Sequence, residues 1–194
     1  MEIQTFNTLI KTRRSVFPDG YSNEKIEDSL IWQMLENANW APTHKFTEPW
    51  RFVVFTGEGI GKLASFQAEF YKNKTEADGT FKQNRYENLL QKPALSSHII
   101  AIGMKRDPKH ALPEIEEVGA VFCAIQNLYL TAHAYGLVGY LSTGGITYFK
   151  GVNHFFGWEE EDKLLGFFHV GKPKGKLAEG KRTPIEQKVK WVNQ

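Results

Sequence analysis

Two arginines and a serine stand side by side early in the chain, at Arg13, Arg14 and Ser15. Each guanidinium presents several N–H donors in a fixed plane and the hydroxyl adds a neutral donor, so the trio suits a phosphate group. The preceding residues 2–12 have apolar side chains at helical spacing. Two cations also stabilise the C-terminal end of a helix through its dipole, and the spacing alone favours that simpler role.

The loop between residues 39 and 50 concentrates polar and aromatic side chains. Pro42 and Pro49 restrict it between a predicted helix and a predicted strand. Its indoles can stack on a flat ligand while a hydroxyl or an imidazole bonds the ligand's edge. An ordinary connection with an exposed histidine explains the same residues equally well. The candidates are Trp40, Pro42, Thr43 and His44.

A predicted strand opens into glycines at residues 141–145, where the backbone can approach a ligand closely and offer N–H donors. The segment matches neither a Walker-type phosphate loop nor the full glycine spacing of a dinucleotide-binding turn. A plain glycine loop is therefore the simpler explanation when the segment is taken alone. The candidates are Leu141, Ser142, Thr143 and Gly144.

The tail from residue 172 is basic and carries a candidate pair of cations, Lys181 and Arg182. Basic residues in a tail are usually solvated, so this pair alone predicts no site. The tail nevertheless ends with large apolar side chains that need a surface to cover them, and a partner subunit would supply one. Those side chains are Val189, Trp191 and Val192.

Other chemistries find little support in the sequence. Histidine spacing predicts no metal site, and no Gly-x-Ser-x-Gly turn supports a serine hydrolase. The single cysteine, Cys123, excludes an internal disulfide and lies among apolar neighbours, where a small buried hydrophobe is expected. Glu114, Glu116 and Glu117 are expected to be solvated acids at a helix start. Tyr129 is expected on the apolar face of that helix.

The chain has 194 residues, which corresponds to one domain or two small ones. With 41% hydrophobic residues it can build a core, and 24 basic against 22 acidic residues give a net charge of only +2. So small an excess does not suggest a protein dedicated to nucleic acids or membrane surfaces. No segment resembles a signal peptide or approaches the ~20 apolar residues of a membrane span, so a soluble, cytoplasmic protein is expected.

Hydrophobic periodicity and turn residues predict helices that alternate with single strands. Ser22 is the expected N-terminal cap of the second helix, and Pro42 ends it. The few strands for this length indicate a sheet covered by helices rather than a regular doubly wound fold. The other helices are predicted at residues 2–12, 58–73, 80–91, 113–135 and 147–156, and the strands at 50–56, 99–103, 137–141 and 164–170.

Taken in order, these segments resemble the nitroreductase family of FMN-dependent oxidoreductases. Arg-Arg-Ser follows the first helix, and Ala-Pro and then Pro-Trp-x-Phe-x-Val lead into the first strand. The long helix contains Gln-Asn-Leu and ends in Ala-His-Ala-Tyr-Gly-Leu, while residues 164–171 occupy the place of the family's last core strand. The loop 41–45 is similar to that of a compact subgroup with Pro-x-His-Lys. The resemblance spans nearly the whole chain.

The resemblance implies an α+β, nitroreductase-like fold in which a central mixed sheet is covered by helices. It also implies an interlocked homodimer with the cofactor at the subunit interface. In that arrangement residues 1–194 form one FMN-binding domain, and the tail 172–194 packs on the partner subunit.

The implied cofactor is FMN, and the implied co-substrate is NADH or NADPH. Arg13, Arg14 and Ser15 would hold the phosphate and the ribityl chain, and Lys181 and Arg182 would add charge near the phosphate. The other subunit would line the isoalloxazine with Trp40, Pro42, Thr43 and His44. Leu141, Ser142, Thr143 and Gly144 would lie against the flavin and offer backbone donors.

The implied reaction is a hydride transfer in two steps, from the nicotinamide to flavin N5 and then to a small electron-poor acceptor such as a nitroaromatic or a quinone. No side chain is expected to act as acid or base, because the cofactor carries the chemistry. Related branches have other activities, such as reductive dehalogenation, which residues 67–92 could serve.

Two positions depart from the pattern of the family. Many members have a cation at the position of Phe17, and Gln is common at the position of Glu48. The first departure keeps a second hypothesis open, in which the chain binds flavin without turning over nicotinamide.

Overall fold

Five α-helices and four strands form the fold in the computed structural model, which describes residues 2–193. The helices are α1 (Ile3–Thr12), α2 (Asp28–Asn39), α3 (Glu58–Ala77), α4 (Gln83–Gln91) and α5 (Glu114–Ala134). The strands are β1 (Trp50–Thr56), β2 (His98–Met104), β3 (Val138–Ser142) and β4 (Lys163–Gly171). The predicted alternation is confirmed, because each predicted strand matches an observed one.

The strands form one sheet in the order β1-β2-β4-β3. Neighbouring strands are antiparallel throughout. One parallel bridge, between Ser15 and Gly139, adds the segment after α1 to the outer edge of β3. The expected sheet is mixed. The four strands are all antiparallel, and the only parallel pairing among residues 2–193 is this bridge.

β2 separates two hydrophobic cores, because consecutive side chains of a strand point to opposite faces of the sheet. Ile100 and Ile102 belong to the core beneath α2 and α5, whereas Ile99 and Ala101 belong to the core beneath α3. All four side chains are fully buried. Helices thus cover both faces of the sheet, as predicted.

α5 is apolar along most of its length, yet one of its faces is exposed in the single chain. Ile115 is 74% exposed, Phe122 is 44% exposed and Cys123 is exposed beside it. The prediction that Cys123 is buried is therefore wrong for the single chain, because none of the elements formed by residues 2–193 covers this face. A helix that is hydrophobic on all sides is normally packed on all sides, so the exposed face suits a second protein surface.

Two local predictions differ from the structure. α2 begins at Asp28, after Glu27 rather than after a Ser22 cap. The Ser22 hydroxyl donates to the Glu24 carboxylate instead of capping the helix. The N–H of Ile26 donates to the Ser97 hydroxyl at 3.0 Å, which holds the residues before α2 against the segment that precedes β2. The short helix expected at 147–156 is a pair of 3-10 turns, Gly145–Tyr148 and Val152–Phe156, separated by Gly151 at φ +85°.

The C-terminal tail, residues 172–193, contains a 3-10 turn at Ile185–Lys188 and otherwise runs as loop. Its large apolar residues Val189, Trp191 and Val192 are all exposed in the single chain. The packing of this tail on a partner subunit stays a prediction. Among residues 2–193, no helix combines the length and the apolarity that crossing a bilayer requires.

Candidate functional site

The segment that follows α1 places Arg13 and Ser15 beside Tyr129 of α5. Arg13 Nη1 lies 3.4 Å from Ser15 Oγ, and the Ser15 hydroxyl donates to the Tyr129 hydroxyl at 3.3 Å. The Arg13 guanidinium lies over the Tyr129 ring, 4.8 Å from its centroid. Within residues 2–193 Arg13 forms no ion pair with a carboxylate. A half-buried cation surrounded by neutral donors is suited to an anion.

Backbone contacts with β3 hold this segment in place. The N–H of Val16 donates to the carbonyl of Gly139 at 3.1 Å, next to the parallel bridge from Ser15. Two residues further along β3, the N–H of Leu141 donates to the Tyr129 hydroxyl at 2.8 Å. The structure thus brings two predicted groups together, the Arg13–Ser15 segment and the start of the glycine segment.

The rest of the glycine segment leaves the sheet beside this cluster. Leu141, Ser142 and Thr143 are half-buried and Gly144 is exposed. The Thr147 hydroxyl donates to the carbonyl of Gly144 at 2.8 Å, which fixes the turn that follows the strand. The segment therefore presents its backbone at the end of β3 in a defined conformation.

Arg14 is engaged differently from Arg13. Its Nε donates to the carbonyl of Ala178 at 2.9 Å, and its Nη1 donates to the carbonyls of Lys11 and Arg13 at 2.8 and 2.7 Å. A side chain at Gly180 would collide with the Arg14 guanidinium, so the tail passes directly against it. Arg14 fastens the tail close to Arg13 and has few N–H donors left for a ligand.

Lys181 and Arg182 follow this contact in the tail and are both exposed. Arg182 Nη1 donates to the carbonyl of Lys181 at 2.7 Å. Their chain neighbour Gly180 places the pair near Arg14. Their predicted contribution to a phosphate site stays a prediction.

His133 lies one turn after Tyr129 on α5 and borders the arginines. Its Nε2 is 2.8 Å from the Thr12 hydroxyl, and because that hydroxyl donates to the carbonyl of Thr8 at 2.7 Å, His133 is the donor of the pair. Burial lowers the pKa of His133, and the charges of Arg13 and Arg14 lower it further. The positive potential of this region therefore comes from the arginines at neutral pH.

The loop after α2 is pinned to the N-terminal end of α5. His44 Nδ1 lies 2.6 Å from the Glu116 carboxylate, and the Lys45 ammonium donates to the carbonyl of Ala111 at 3.1 Å. Glu116 is exposed in the first turn of α5, as expected for a solvated acid, and it also pairs with His44. The histidine of the loop is consequently held in a fixed place.

The backbone of this loop is strained where it turns. Lys45, Phe46 and Glu48 have left-handed φ angles of 51°, 54° and 41°, which cost non-glycine residues about 1 kcal/mol each. The N–H of Glu48 donates to the Thr43 hydroxyl at 3.2 Å, which helps to hold the turn. Thr43 is half-buried, whereas Pro42 and Phe46 are exposed.

Trp40 lies at the end of α2 and is 79% exposed. Its indole N–H donates to the Glu36 carboxylate at 3.2 Å. The ring lines a surface hollow of about 290 Å³ together with Asn127 and Thr131 of α5. Trp40 therefore presents an open aromatic face, as a stacking role requires.

A buried ion pair fixes the first turn of α5, from which Glu116 reaches His44. Glu117 is 1% exposed and pairs with the Arg106 guanidinium, and it also accepts the N–H of Asp107 at 2.8 Å. The expectation that Glu117 is solvated is wrong, because the loop after β2 folds back over it.

His44 and Tyr129 lie at opposite ends of α5. Glu116, which holds His44, precedes Tyr129 by 13 residues, a rise of about 20 Å along a helix. A single chain therefore does not bring His44 to Arg13 and Ser15, whereas Trp40 lies beside the same half of α5 as Tyr129.

Within the described residues 2–193, other regions give no rival site of comparable chemistry. Within residues 2–193 no three His, Cys, Asp or Glu side chains are grouped to hold a metal ion. A cleft of about 760 Å³ lies between the starts of α2 and α3. At its floor the buried His98 bonds the Asp28 carboxylate at 3.0 Å, so this histidine is already partnered.

The chain is an α+β protein of nitroreductase-like fold. Its four-stranded antiparallel sheet has helices on both faces, and a cluster suited to an anion lies between α1, α5 and β3. The model of the Nitroreductase family matches residues 10–172. The chain belongs to the nitroreductase family, and the predicted resemblance is confirmed.

Relatives with that description cover nearly the whole chain. YfhC of Bacillus subtilis, provisionally named an NAD(P)H nitroreductase, is 30% identical over 182 residues, which are 93% of this chain and 90% of YfhC. The crystal structure of a nitroreductase-like family protein from Bacillus cereus has a TM-score of 0.84 at 25% identity and covers 100% of this chain and 99% of that one. The FMN-dependent nitroreductase NfnB from Mycobacterium smegmatis, solved with NADPH, has a TM-score of 0.75 at 17% identity, covers 98% and 99%, and shares the fold.

Sequence reasoning missed two side chains that organise these groups, Tyr129 and Glu116. Both lie on α5 at positions typical of a helix face, the first among apolar neighbours and the second in an acidic first turn. Their partners, Leu141 and His44, come from distant parts of the chain. No local signal in the sequence identifies either contact.

Proposed function

We propose that this chain is an FMN-dependent oxidoreductase that uses NADH or NADPH to reduce small electron-poor acceptors, such as nitroaromatics or quinones. Membership of the nitroreductase family supports the class of enzyme. The observation that carries the proposal is the Arg13 guanidinium, which is half-buried, stacks on Tyr129 and has no carboxylate partner within residues 2–193. An anionic group such as a phosphate would satisfy it.

The residues of this chain fit a phosphorylated flavin. Arg13 and Ser15 offer charged and neutral donors for the phosphate and ribityl chain, and Arg14 supports them by holding the tail with Lys181 and Arg182 nearby. The N–H of Leu141 is donated to Tyr129, which places the following residues Thr143 and Gly144 beside the cluster, where their N–H groups can donate to the edge of a ring system. As far as residues 2–193 show, the cluster contains donors and cations but no carboxylate, which is the balance that an anion needs.

FMN, when bound, supplies the hydride acceptor and donor, so the protein needs no nucleophile or acid–base residue of its own. The task of the chain is to place the ring, to leave one face open to a nicotinamide or an acceptor, and to stabilise negative charge. Backbone N–H groups at the end of β3 suit the last role. The indole of Trp40 and the imidazole of His44 suit the edges of a flat ligand.

The site is assembled from two subunits in this proposal. Because Glu116, which holds His44, lies about 20 Å from Tyr129 along α5, His44 reaches an anion site only on a partner chain. The exposed apolar face of α5 offers the surface for such a homodimer. If two copies of α5 pack antiparallel so that Glu116 of one meets Tyr129 of the other, the two-fold axis passes close to Cys123, midway between them. The tail 172–193 then covers its apolar end on the partner.

The first experiment is the visible spectrum of the purified protein, followed by anaerobic addition of NADH or NADPH. A flavin spectrum that bleaches supports the oxidoreductase. Arg13→Ala should lose most of the bound flavin, whereas Lys62→Ala, which removes an exposed cation on α3, should keep it. A protein that neither contains nor takes up FMN refutes the proposal.

One observation favours a second function, a flavin-binding module without turnover. Phe17 lies on the Tyr140 ring, with centroids 4.4 Å apart, so it brings no cation to the cluster. Bound FMN that neither nicotinamide bleaches would favour this alternative. A related chemistry such as reductive dehalogenation would instead appear as halide release from a halogenated aromatic. A cytoplasmic location also stays a prediction, which fractionation of producing cells would test.

A mixture of two inactive variants tests the shared site. Arg13→Ala damages one half of each site and His44→Ala damages the other half. If the halves come from different subunits, a mixed dimer contains one undamaged site, so activity returns when the two variants are refolded together. Activity that stays at the level of the separate variants means that both halves serve the same chain.

A further inference from the structure

The Tyr129 side chain joins three parts of the chain that are remote in sequence. Its hydroxyl accepts the N–H of Leu141 at 2.8 Å and the Ser15 hydroxyl at 3.3 Å. Its ring supports the Arg13 guanidinium at 4.8 Å. Tyr129 of α5 therefore contacts both β3 and the residues that follow α1, Arg13 and Ser15.

The ring of Tyr129 is itself firmly held. It meets the Phe168 ring edge to face, with centroids 4.6 Å apart and planes at 84°. Phe168 is fully buried in β4, and Gly139 leaves room for it, because a Cβ at Gly139 would overlap the Phe168 ring. The ring that contacts the Arg13 guanidinium is therefore packed against the hydrophobic core.

The hydrogen bonds of the cluster leave a donor available. Arg13 can donate to Ser15, Ser15 donates to Tyr129, and Leu141 also donates to Tyr129. The hydroxyl proton of Tyr129 then has no acceptor in the described part of the chain. When Ser15 turns its own proton to a ligand oxygen, Tyr129 can donate back to the Ser15 oxygen, so neither hydroxyl loses its partner.

We infer that Tyr129 is a positioning residue of the anion site, which holds Arg13 with its ring and orients Ser15 with its hydroxyl. The inference rests on the proposed binding of FMN and adds a residue that acts on its phosphate end. It predicts a larger effect on phosphate recognition than on ring recognition, because Tyr129 contacts Arg13 and Ser15 directly but reaches the ring-facing segment only through the N–H of Leu141.

The test compares FMN with riboflavin, which lacks the phosphate. Apoprotein is titrated with each ligand while flavin fluorescence is followed, for the wild type, Tyr129→Phe and the control Tyr135→Phe. Tyr129→Phe keeps the ring and removes the hydroxyl, so affinity for FMN should fall about tenfold. Affinity for riboflavin should fall much less, because riboflavin has no phosphate and is affected mainly through the lost contact with Leu141. Tyr135 is 47% exposed, and its variant should match the wild type for both ligands.

Each other outcome is decisive. If Tyr129→Phe keeps the wild-type preference for FMN over riboflavin, the inference is wrong. If both ligands weaken equally, Tyr129 merely supports the fold and the inference is again wrong. A wild type that binds neither ligand, or binds both equally, refutes the proposed FMN site itself, which separates the two failures.

A second variant covers the case in which Tyr129→Phe does not fold. Ser15→Ala should lose the FMN preference to a similar extent, because it removes the other hydroxyl of the pair. With all variants folded, the double variant Ser15→Ala/Tyr129→Phe should lose little more than either single one, since both act through the same contact. Fully additive losses, or a Ser15→Ala protein that keeps its preference, would overturn the inference.

Discussion

Lowering the pH from about 7 to about 4.5 is expected to destabilise the folded chain through His169. This residue of β4 has its Nδ1 2.9 Å from the Ser96 hydroxyl, and burial lowers the pKa of its imidazole from 6.5 to about 4. The unfolded chain therefore binds a proton near pH 6.5, whereas the folded chain binds it only near pH 4. The stabilisation is fully present above the unfolded pKa and is lost as the pH falls towards 4.

The size of the effect follows from the two pKa values. A shift from 6.5 to about 4 corresponds to about 3.4 kcal/mol of free energy of unfolding at most. About 2.4 kcal/mol of this is lost between pH 7 and pH 4.5, because His169 of the folded chain begins to bind its own proton near the lower value. The lowered pKa of His133 acts in the same direction.

The measurement is urea unfolding at constant protein concentration, at about pH 7 and about pH 4.5. His169→Gln removes the titrating group, so its free energy of unfolding should fall by about 2 kcal/mol less than that of the wild type over this range. His154→Gln, at an exposed position, should behave as the wild type. Equal losses in the wild type and His169→Gln would show that burial of His169 does not govern the acid response.

Three further predictions concern the interface, the anion site and the pinned loop. Mild oxidation with diamide should give a covalent dimer of the wild type on a non-reducing gel, because the proposed two-fold axis passes near Cys123. The variant Cys123→Ser should give no covalent dimer. A wild type that is a dimer in solution but never cross-links would exclude this register of the two α5 helices. Gly139→Ala, beneath the anion site, should lower the free energy of unfolding by about 1–3 kcal/mol, because its Cβ overlaps the Phe168 ring. Gly61→Ala on α3 has open space around its Cβ and should raise the free energy of unfolding by up to about 1 kcal/mol. Chemical unfolding of both variants tests the difference. Glu116→Gln should change stability by under about 1 kcal/mol, because its pair with His44 is exposed, but should lower kcat/KM for a quinone several-fold by freeing His44. Glu114→Gln, which breaks an exposed pair with Lys163, is the matched control, and equal kinetics in the two variants would contradict the role of Glu116.

The strands could be predicted from the sequence because each is a short stretch rich in β-branched and aromatic residues. Residues 50–56, for example, are followed by Gly57, which has φ +52° and is the residue that precedes α3. The start of α2 could not be predicted in the same way. Ser22 has the chemistry of a cap, but the bond from Ile26 to Ser97 depends on a segment some 70 residues further along.

In the candidate site, too, features that depend on neighbouring residues could be predicted, whereas contacts between distant segments could not. Arg13 and Ser15 could be selected as candidates because their chemistry and their place after a helix are visible locally, although their spacing alone favours a helix end and the phosphate role comes from the family resemblance. The burial of Glu117 was not, since it depends on Arg106 from a loop that folds back over the helix. Tyr129 looks like any apolar residue of α5 until β3 and the segment after α1 are placed beside it.

The strand order has a consequence for folding during synthesis. β4 is the last strand to be made but lies between β2 and β3. As a nascent chain grows at about 5–20 residues per second, β1 and β2 can pair early, whereas β3 has to wait for Lys163–Gly171. Ala178, which Arg14 binds, emerges later still. The anion site is therefore completed only after both β4 and Ala178 have left the ribosome.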